Sequence, residues 1–404
     1  MDKPELLSPA GTLEKLKTAF LFGADAVYAG VPDFSLRARI NSFDHEAIKE
    51  GTEYAHKLKK KLYATANIFP FDGDLKKVRE TIERYCEANV DAIIISDPGI
   101  VKITREINPD MPLHLSTQAN CTNSESAKFW YDQGVSRIII AREMSLENIR
   151  SMHEKVPEVE LECFVHGAMC VSYSGRCILS KLFSDRSANQ GKCSQPCRWG
   201  YDIIPTGESD KDVKIEQDQH GTYILNSKDL CLINYLDQLR DAGIISFKIE
   251  GRTKSTYYVA GITKIYRQAI DNNCKQISGA DIELEKFMNR GYTSGFLFSE
   301  EQCEHNFQES HKSCDWQFVG EVVKLDQDEI YIKMHNELFV GDEVEFVVPQ
   351  SNNVQLKINN MKDAGSGDIL QEAHGGQKKI IKISIGYDIG QSAVIGSVIR
   401  KKRV

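Results

Sequence analysis

Eight short apolar runs recur along the first three hundred residues. They span residues 4–10, 23–30, 61–68, 89–96, 112–119, 134–141, 160–167 and 243–251. Such runs are typical of parallel strands that are buried on both faces. The segments between them, for example 12–24, 75–89 and 145–156, have the apolar spacing of amphipathic helices. Strands alternating with helices predict an α/β fold, a (β/α)8 TIM-like barrel over residues 1–300. A doubly wound sheet is the alternative, but no G-x-G-x-x-G follows the first strand.

The strand count requires an insertion before the last strand, at residues 168–242. Within it, the segments 199–205 and 222–230 resemble a hairpin, and residues 229–242 have the pattern of a helix. Since the insertion leaves the barrel where the seventh strand ends, it should lie over the barrel mouth. Barrel enzymes form their active sites at that end.

The pattern changes after a polar stretch at 299–315. From Trp316 onward the apolar residues alternate with polar ones, and Gly, Asn and Asp interrupt the runs. This period of two predicts a small C-terminal antiparallel β-barrel over residues 314–404. Such an addition is more often a binding or docking module than a catalytic one.

The insertion contains an unusual group of cysteines. Cys170, Cys177, Cys193 and Cys197 follow the spacing C-x6-C-x15-C-x3-C, among eleven cysteines in the chain. Thiolates prefer zinc, copper(I) or iron–sulfur clusters. Structural zinc sites usually have two close pairs of cysteines, whereas four-cysteine ligation is the rule for iron–sulfur clusters. The spacing favours a cluster, with zinc or buried free cysteines as the alternatives.

Charge and the N-terminal sequence set the expected compartment and partners. The N-terminus is charged and has no apolar signal-peptide core, and no run is long enough to span a membrane. We therefore expect a cytoplasmic protein, in which grouped cysteines are metal ligands more often than disulfides. The net charge of −8 gives no overall attraction to nucleic acid. Residues 170–200, however, contain five basic residues and only one acidic residue, Asp185.

Polar residues follow every predicted barrel strand. They are Ser8, Arg37, Arg39, Asn67, Asp97, Gln118, Asn120, Arg142, Glu143, His166, Glu250, Arg252 and Lys254. Because the strand ends meet at one mouth, Arg37, Arg39, Gln118, Arg142 and Arg252 are predicted to bind the substrate. Several arginines at one mouth indicate a ligand with carboxylates or phosphates, which guanidinium binds through paired hydrogen bonds. Candidates for catalysis are His166, Glu250 and Asn67; His166 could equally be a cluster neighbour or a hydrogen-bonded support.

Several motifs together resemble one known family. ELLSPAG, GADAVYAG, FVHGAMCVSYSGRC, RSANQGKCSQPCRW, FKIEGR and RGYTSGFL are similar to the collagenase-like peptidases numbered 32 among those of unknown catalytic type. The resemblance covers nearly the whole chain. Within that family, the length and the C-terminal domain resemble most the group that hydroxylates tRNA.

The resemblance carries expectations about activity. That group makes 5-hydroxyuridine at the tRNA wobble position without molecular oxygen, with prephenate as hydroxyl donor. The family's cluster ligands match Cys170, Cys177, Cys193 and Cys197, which implies a [4Fe–4S] cluster. The expected partners are the tRNA anticodon loop, prephenate and a second family member as partner subunit, with no membrane. Prephenate's two carboxylates suit the mouth arginines, and anticodon bases could stack on Tyr173, Phe183, Trp199 and Tyr201. The alternative for these aromatic residues is packing in a small core of the insertion itself.

Other functional classes remain as alternatives. The family label suggests a peptidase, although the chain has neither H-E-x-x-H nor G-x-S-x-G. Relatives hydroxylate ribosomal RNA or a quinone precursor, and a scaffold protein with a structural metal is a third class. Metal analysis and mass spectrometry of tRNA nucleosides would separate them.

Overall fold

The first part of the chain folds into a barrel. The computed structural model describes residues 3–32, 43–170, 172–190, 192–199, 217–218, 221–222, 226–298, 304–305, 314–326, 329–376, 379–384 and 394–403. Its strands up to residue 293 are β1 (Glu5–Pro9), β2 (Ala26–Ala29), β3 (Lys61–Ala66), β4 (Ala92–Ile95), β5 (Leu113–Leu115), β6 (Arg137–Ile139), β7 (Glu160–Ala168), β8 (Gln217–Asp218), β9 (Gly221–Thr222), β10 (Asp229–Cys231), β11 (Ile244–Ile249) and β12 (Tyr292–Thr293). β1 to β7 pair in parallel in chain order, and β11 pairs in parallel with both β7 and β1. The predicted eight-stranded barrel is confirmed.

Helices surround this barrel. They are α1 (Leu13–Leu21), α2 (His45–Lys57), α3 (Leu75–Glu87), α4 (Pro98–Ile107), α5 (Ser124–Asp132), α6 (Leu146–Lys155), α7 (Leu179–Ser184), α8 (Leu236–Asp241), α9 (Thr256–Asp271) and α10 (Ala280–Leu284). Most of the outer helices begin at a polar residue whose side chain accepts a backbone N–H, which stabilises a helix start. Asp97, one of the polar residues at the strand ends, has this role: it accepts hydrogen bonds from Gly99 and Ile100 at the start of α4.

The insertion before the last strand is also present, with one difference from the prediction. Residues 229–231 were expected to begin a helix, but they form β10, which pairs antiparallel with β7 and parallel with β12. The helix begins only at Leu236. The first half of the predicted hairpin, 199–205, lies outside the described residues except for Trp199, as do Arg37, Arg39 and Tyr201. In its second half, Thr222 pairs with Gln217 and residues 229–230 pair with β7, so these residues do not form the predicted hairpin.

The C-terminal region forms a separate antiparallel sheet that curves into a half-barrel. Its strands are β13 (Trp316–Asp326), β14 (Glu329–Met334), β15 (Leu338–Phe339), β16 (Glu343–Val347), β17 (Val354–Lys357), β18 (Met361–Asp363), β19 (Ile369–Leu370), β20 (Glu372–Ala373), β21 (Ile380–Ser384) and β22 (Val398–Lys402). Eight of them form the sheet in the order β17-β16-β22-β13-β14-β21-β18-β19. Alternate residues of these strands fill their own apolar core, as the period of two predicts.

A buried arginine joins this sheet to the barrel. Arg400 on β22 is fully buried and forms ion pairs with Glu283 of the barrel domain and Glu345 of the sheet. Its guanidinium carbon also lies 4.9 Å from the ring centre of Trp316. Because two carboxylates surround it, the cation is compensated despite its burial.

A layer of charged residues crosses the lower part of the barrel interior. Glu162 of β7 is fully buried and accepts hydrogen bonds from Lys248 at 2.8 Å and from Arg137 at 3.3 Å. Arg137 also pairs with Glu5 at 2.6 Å. Above this layer, apolar side chains such as Ile94 and Ile139 close the interior. Among the described residues, no helix is long and apolar enough to cross a membrane.

Candidate active site at the barrel mouth

The carboxyl ends of the strands surround a cavity of about 1100 Å³, counting the space open to solvent. Its floor contains Tyr28, Ile94, Ile139, Phe164 and Lys248. Its sides contain many of the polar residues predicted from the strand ends, namely Asn67, Gln118, Arg142, Glu250 and Arg252. Its cover contains all four cysteines of the insertion. Strands from β2 to β11, whose lining residues Tyr28 and Lys248 are 220 positions apart in sequence, thus contribute to one chamber, as the barrel topology requires.

The cysteine-bearing segment, residues 170–199, lies over this mouth and is attached to several strand ends. The Ser174 amide donates to the Glu143 carboxylate at 2.6 Å, and the Phe69 amide donates to the Asn189 carbonyl at 3.2 Å. Gly175 lies against the turn after β5: a Cβ on it would be 2.0 Å from the Gln118 carbonyl oxygen. Only glycine permits this approach, since its φ is also +71°.

The four cysteines face this one chamber as free thiols. Cys170 is exposed, and the other three are partly buried. Burial raises the pKa of the Cys197 thiol to about 11, and the neighbouring Cys170 and Cys193 contribute to the rise. Within the described part of the chain, no three His, Cys, Asp or Glu side chains are grouped closely enough to hold a single metal ion.

Two aromatic rings support the cations of the cavity. The guanidinium carbon of Arg142 lies 4.1 Å from the ring centre of Phe164, and that of Arg252 lies 5.5 Å from the ring centre of Tyr28. Lys248 lies near both rings, at 5.4 and 4.4 Å. Contact with ring faces stabilises cations without consuming their hydrogen-bond donors. The Nε of Arg142 is buried and has no hydrogen-bond partner among the described residues.

Lys248 was not predicted from the sequence. It is the last residue but one of β11 and lies two positions before Glu250, which follows the strand, and both residues line the cavity. Every second residue at this strand end lines the cavity, namely Arg252, Glu250 and Lys248. Counting back by two positions from Glu250 is the sequence signal that identifies Lys248. Burial lowers the pKa of Lys248, while Glu162 opposes this shift.

The remaining candidates occupy different positions. Asn67 is buried and donates to the Ser116 hydroxyl at 3.2 Å, while its Oδ1 has no partner among the described residues. His166 is not among the described residues that line the cavity; it is buried, and its Nδ1 lies 3.2 Å from the Tyr266 hydroxyl. The rings of Tyr258 and Tyr292 also surround it. Burial lowers the pKa of His166 to about 4, so the imidazole is neutral near pH 7. Arg37 and Arg39 fall outside the described residues.

Comparisons with known proteins agree with this architecture. Residues 11–307 match the family model of peptidase family U32, and residues 314–395 match that of the peptidase family U32 C-terminal domain. The chain is 40% identical to tRNA hydroxylation protein P of Escherichia coli (strain K12), over 93% of this chain and 92% of that protein.

Two further relatives have different names. The chain is 32% identical to a collagenase of Porphyromonas gingivalis, over 89% of this chain and 90% of that protein. It is 34% identical to the 23S rRNA 5-hydroxycytidine C2501 synthase of Escherichia coli (strain K12), over 89% of this chain and 55% of that protein. With both domains matched, this chain belongs to peptidase family U32.

Proposed function

We propose that this chain is a tRNA-modifying enzyme that hydroxylates the wobble uridine to 5-hydroxyuridine, with prephenate as hydroxyl donor and with an iron–sulfur cluster. The observation that carries the proposal is the single mouth cavity, which brings four thiols and three cations to the same place. The similarity to proteins named for tRNA and rRNA hydroxylation supports RNA as the substrate class.

The donor set fits a [4Fe–4S] cluster. All four thiols line one chamber, none is joined in a disulfide, and thiolate is the usual ligand of such clusters. A cluster is larger than a single ion, so its ligands need not lie as close together as those of zinc. Cys170, Cys177, Cys193 and Cys197 would hold it. Once bound, the cluster would supply one-electron transfer and a rigid attachment for the segment that covers the mouth.

The cations of the cavity suit an anionic donor. Among the described residues that line it are Arg142, Lys248 and Arg252 but only one carboxylate side chain, that of Glu250, while Lys248 also pairs with Glu162 beneath the cavity. Guanidinium binds carboxylates through two parallel hydrogen bonds, and Arg142 retains a buried donor for such a contact. A dicarboxylate such as prephenate could therefore contact the two arginines at once. Asn67, whose side-chain carbonyl oxygen has no partner within the described part of the chain, would orient the uracil or the donor by a hydrogen bond.

The peptidase alternative has less support from the geometry. A cysteine nucleophile needs a base within hydrogen-bond distance. Among the described residues, no hydrogen bond joins any of these four cysteines to a histidine, and His166 is bonded to Tyr266 instead. A gelatin-cleavage assay with the purified protein tests this alternative directly.

The deciding experiment is nucleoside mass spectrometry of tRNA from a strain that lacks the gene. We expect 5-hydroxyuridine to be absent, to return with the wild-type gene under anaerobic growth, and not to return with Cys193→Ala. With purified protein, heavy oxygen in the hydroxyl group of prephenate should appear in the tRNA. Normal 5-hydroxyuridine in the deletion strain would refute the function, whereas label arriving only from water would refute the donor.

A further inference from the structure

Large apolar side chains are exposed on the cysteine-bearing segment and on the stretch after β3 that is hydrogen-bonded to it. We call these residues the rim surface: Phe71, Tyr173, Ile178, Leu182, Phe183 and Trp199. Tyr173 is 68% exposed and Leu182 is 71% exposed. Large apolar groups that cluster on a surface indicate an interaction site.

The interior of the segment explains why these side chains face outward. Ser194 lies next to Cys193, and its hydroxyl bonds to Ser180 and Ser184 of α7 at 2.8 and 2.5 Å. This contact attaches the inner face of α7 to the cysteines. The opposite face, with Leu182 and Phe183, is left exposed. Phe183 and Trp199 form an edge-to-face pair with ring centres 6.4 Å apart.

Phe71 extends the surface beyond the cysteine segment. It follows β3 at the mouth and is 71% exposed. The neighbouring Phe69 amide bonds to the Asn189 carbonyl, which joins this stretch to the cysteine segment. Aromatic side chains therefore flank the opening from two separate parts of the chain.

Basic residues accompany the aromatic ones. Arg176, Lys181 and Lys192 are exposed, and Arg186 is half-buried. Asp185, which pairs with Lys181, is the one acidic residue between 170 and 199. The combination of stacking platforms with cations is what single-stranded nucleic acid requires, since bases stack on rings and phosphates pair with cations. A protein partner would fit the apolar groups but would not need the excess of positive charge.

We propose that the rim surface binds the unpaired loop of an RNA hairpin, so that one base enters the cavity while its neighbours stack on the rim aromatics. This rests on the proposed function, because it deepens how the RNA substrate is held. Enzymes that modify a base remove it from its stack, and the freed neighbours need new stacking partners. Tyr173 lines the cavity and is also exposed, so it stands where the entering base leaves the loop.

Binding of a tRNA transcript to the full chain tests this surface, with fluorescence anisotropy at constant salt as the readout. Trp199→Ala, Phe183→Ala and Phe71→Ala should each weaken binding by about tenfold. Trp199→Phe, which retains a ring, should restore most of the affinity. The matched control is Phe129→Ala, since Phe129 is a 55% exposed aromatic residue of α5 that lies outside both the cysteine segment and the stretch after β3 bonded to it. It should bind as the wild type does.

Further readouts separate the outcomes. Lys192→Gln should lower the slope of log affinity against log salt by roughly 0.7 to 0.9. Iron content checks that a variant near Cys197 has retained its metal, and Phe71→Ala lies outside that segment altogether.

If the wild type binds tRNA and makes 5-hydroxyuridine while all three aromatic variants bind tRNA normally, the proposed role of the rim surface is wrong and the proposed function stands. If those variants bind tRNA normally but lose a co-purifying protein, the surface belongs to a protein partner and the RNA proposal is overturned. Failure of the wild type to bind tRNA or modify it would refute both.

Discussion

Replacing Gly175 by alanine should displace the cysteine segment from the barrel mouth. Two effects act at this position. An L-residue in the left-handed conformation costs about 1–2 kcal/mol, and Gly175 has a φ of +71°. In addition, the new methyl group would lie 2.0 Å from the Gln118 carbonyl oxygen. Overpacking of this kind costs roughly 1–3 kcal/mol. The total free-energy cost, on the order of 2–5 kcal/mol, destabilises the packing of the cysteine segment against the mouth and leaves the barrel folded.

A second glycine separates these two effects. Gly279 has a φ of +79°, and a Cβ on it would have nothing within 4 Å. Gly279→Ala therefore introduces the same backbone strain without the overlap. It should lower stability by about 1–2 kcal/mol and leave tRNA modification unchanged.

Three assays measure the difference between the two variants. Limited proteolysis of Gly175→Ala should give new cleavage confined to residues 170–199, iron content should fall, and 5-hydroxyuridine formation should drop sharply. The melting temperature of the barrel should change little, because the overlap does not involve its core. A Gly175→Ala protein with wild-type iron, protease resistance and activity would show that the segment does not depend on this contact.

Four other changes have defined outcomes. Cys193→Ala should abolish hydroxylation, remove iron and expose the cysteine segment to protease; an intact segment without activity would instead indicate direct substrate contact. Arg142→Lys should raise the KM for the donor, and the rise should correspond to a loss of about 2–5 kcal/mol of binding free energy, as expected when a paired contact at a desolvated site is lost. Arg150→Lys, at an exposed arginine, should leave this KM unchanged. Burial lowers the pKa of His166 from 6.5 to about 4. Between these two pH values the unfolded chain binds a proton at His166 that the folded chain does not, so the free energy of unfolding measured in urea should fall as the pH is lowered from 6.5 to 4. His166→Gln should reduce this fall. Arg400→Met leaves two carboxylates without their buried partner and should cost about 3–5 kcal/mol in thermal unfolding.

The barrel could be predicted because its strands have an unambiguous signal. The run at 92–95 is apolar throughout, that at 244–249 is apolar at four of its six positions, and the helices between the strands have a clear period. The one wrong element is informative. Residues 229–231 continue an apolar helix pattern in sequence, but they pair with β7, a partner about 60 residues away. Local periodicity contains no information about such a pairing.

The candidate site was predictable only in part. The spacing of the four cysteines and the arginines at the strand ends were visible in the sequence, and the cavity brings Cys193, Arg142 and Arg252 together. The surroundings of His166 were not visible. Its tyrosine partner Tyr266 lies 100 residues later in the chain, and no motif links the two. Whether His166 takes part in catalysis stays a prediction.

Charge distribution bears on how an acidic protein could bind a polyanion. The chain has a net charge of −8 although residues 170–199 are basic, so the remainder is more acidic than the whole. At physiological salt, charges act over about 8 Å. An approaching RNA would therefore be repelled from most of the surface and attracted only near the cysteine segment. Repulsion elsewhere orients the encounter as much as attraction at the rim does. Neutralising acidic residues far from the mouth should then increase non-productive tRNA binding without increasing the rate of 5-hydroxyuridine formation. A rise in both tRNA binding and this rate would show instead that the acidic surface only weakens association.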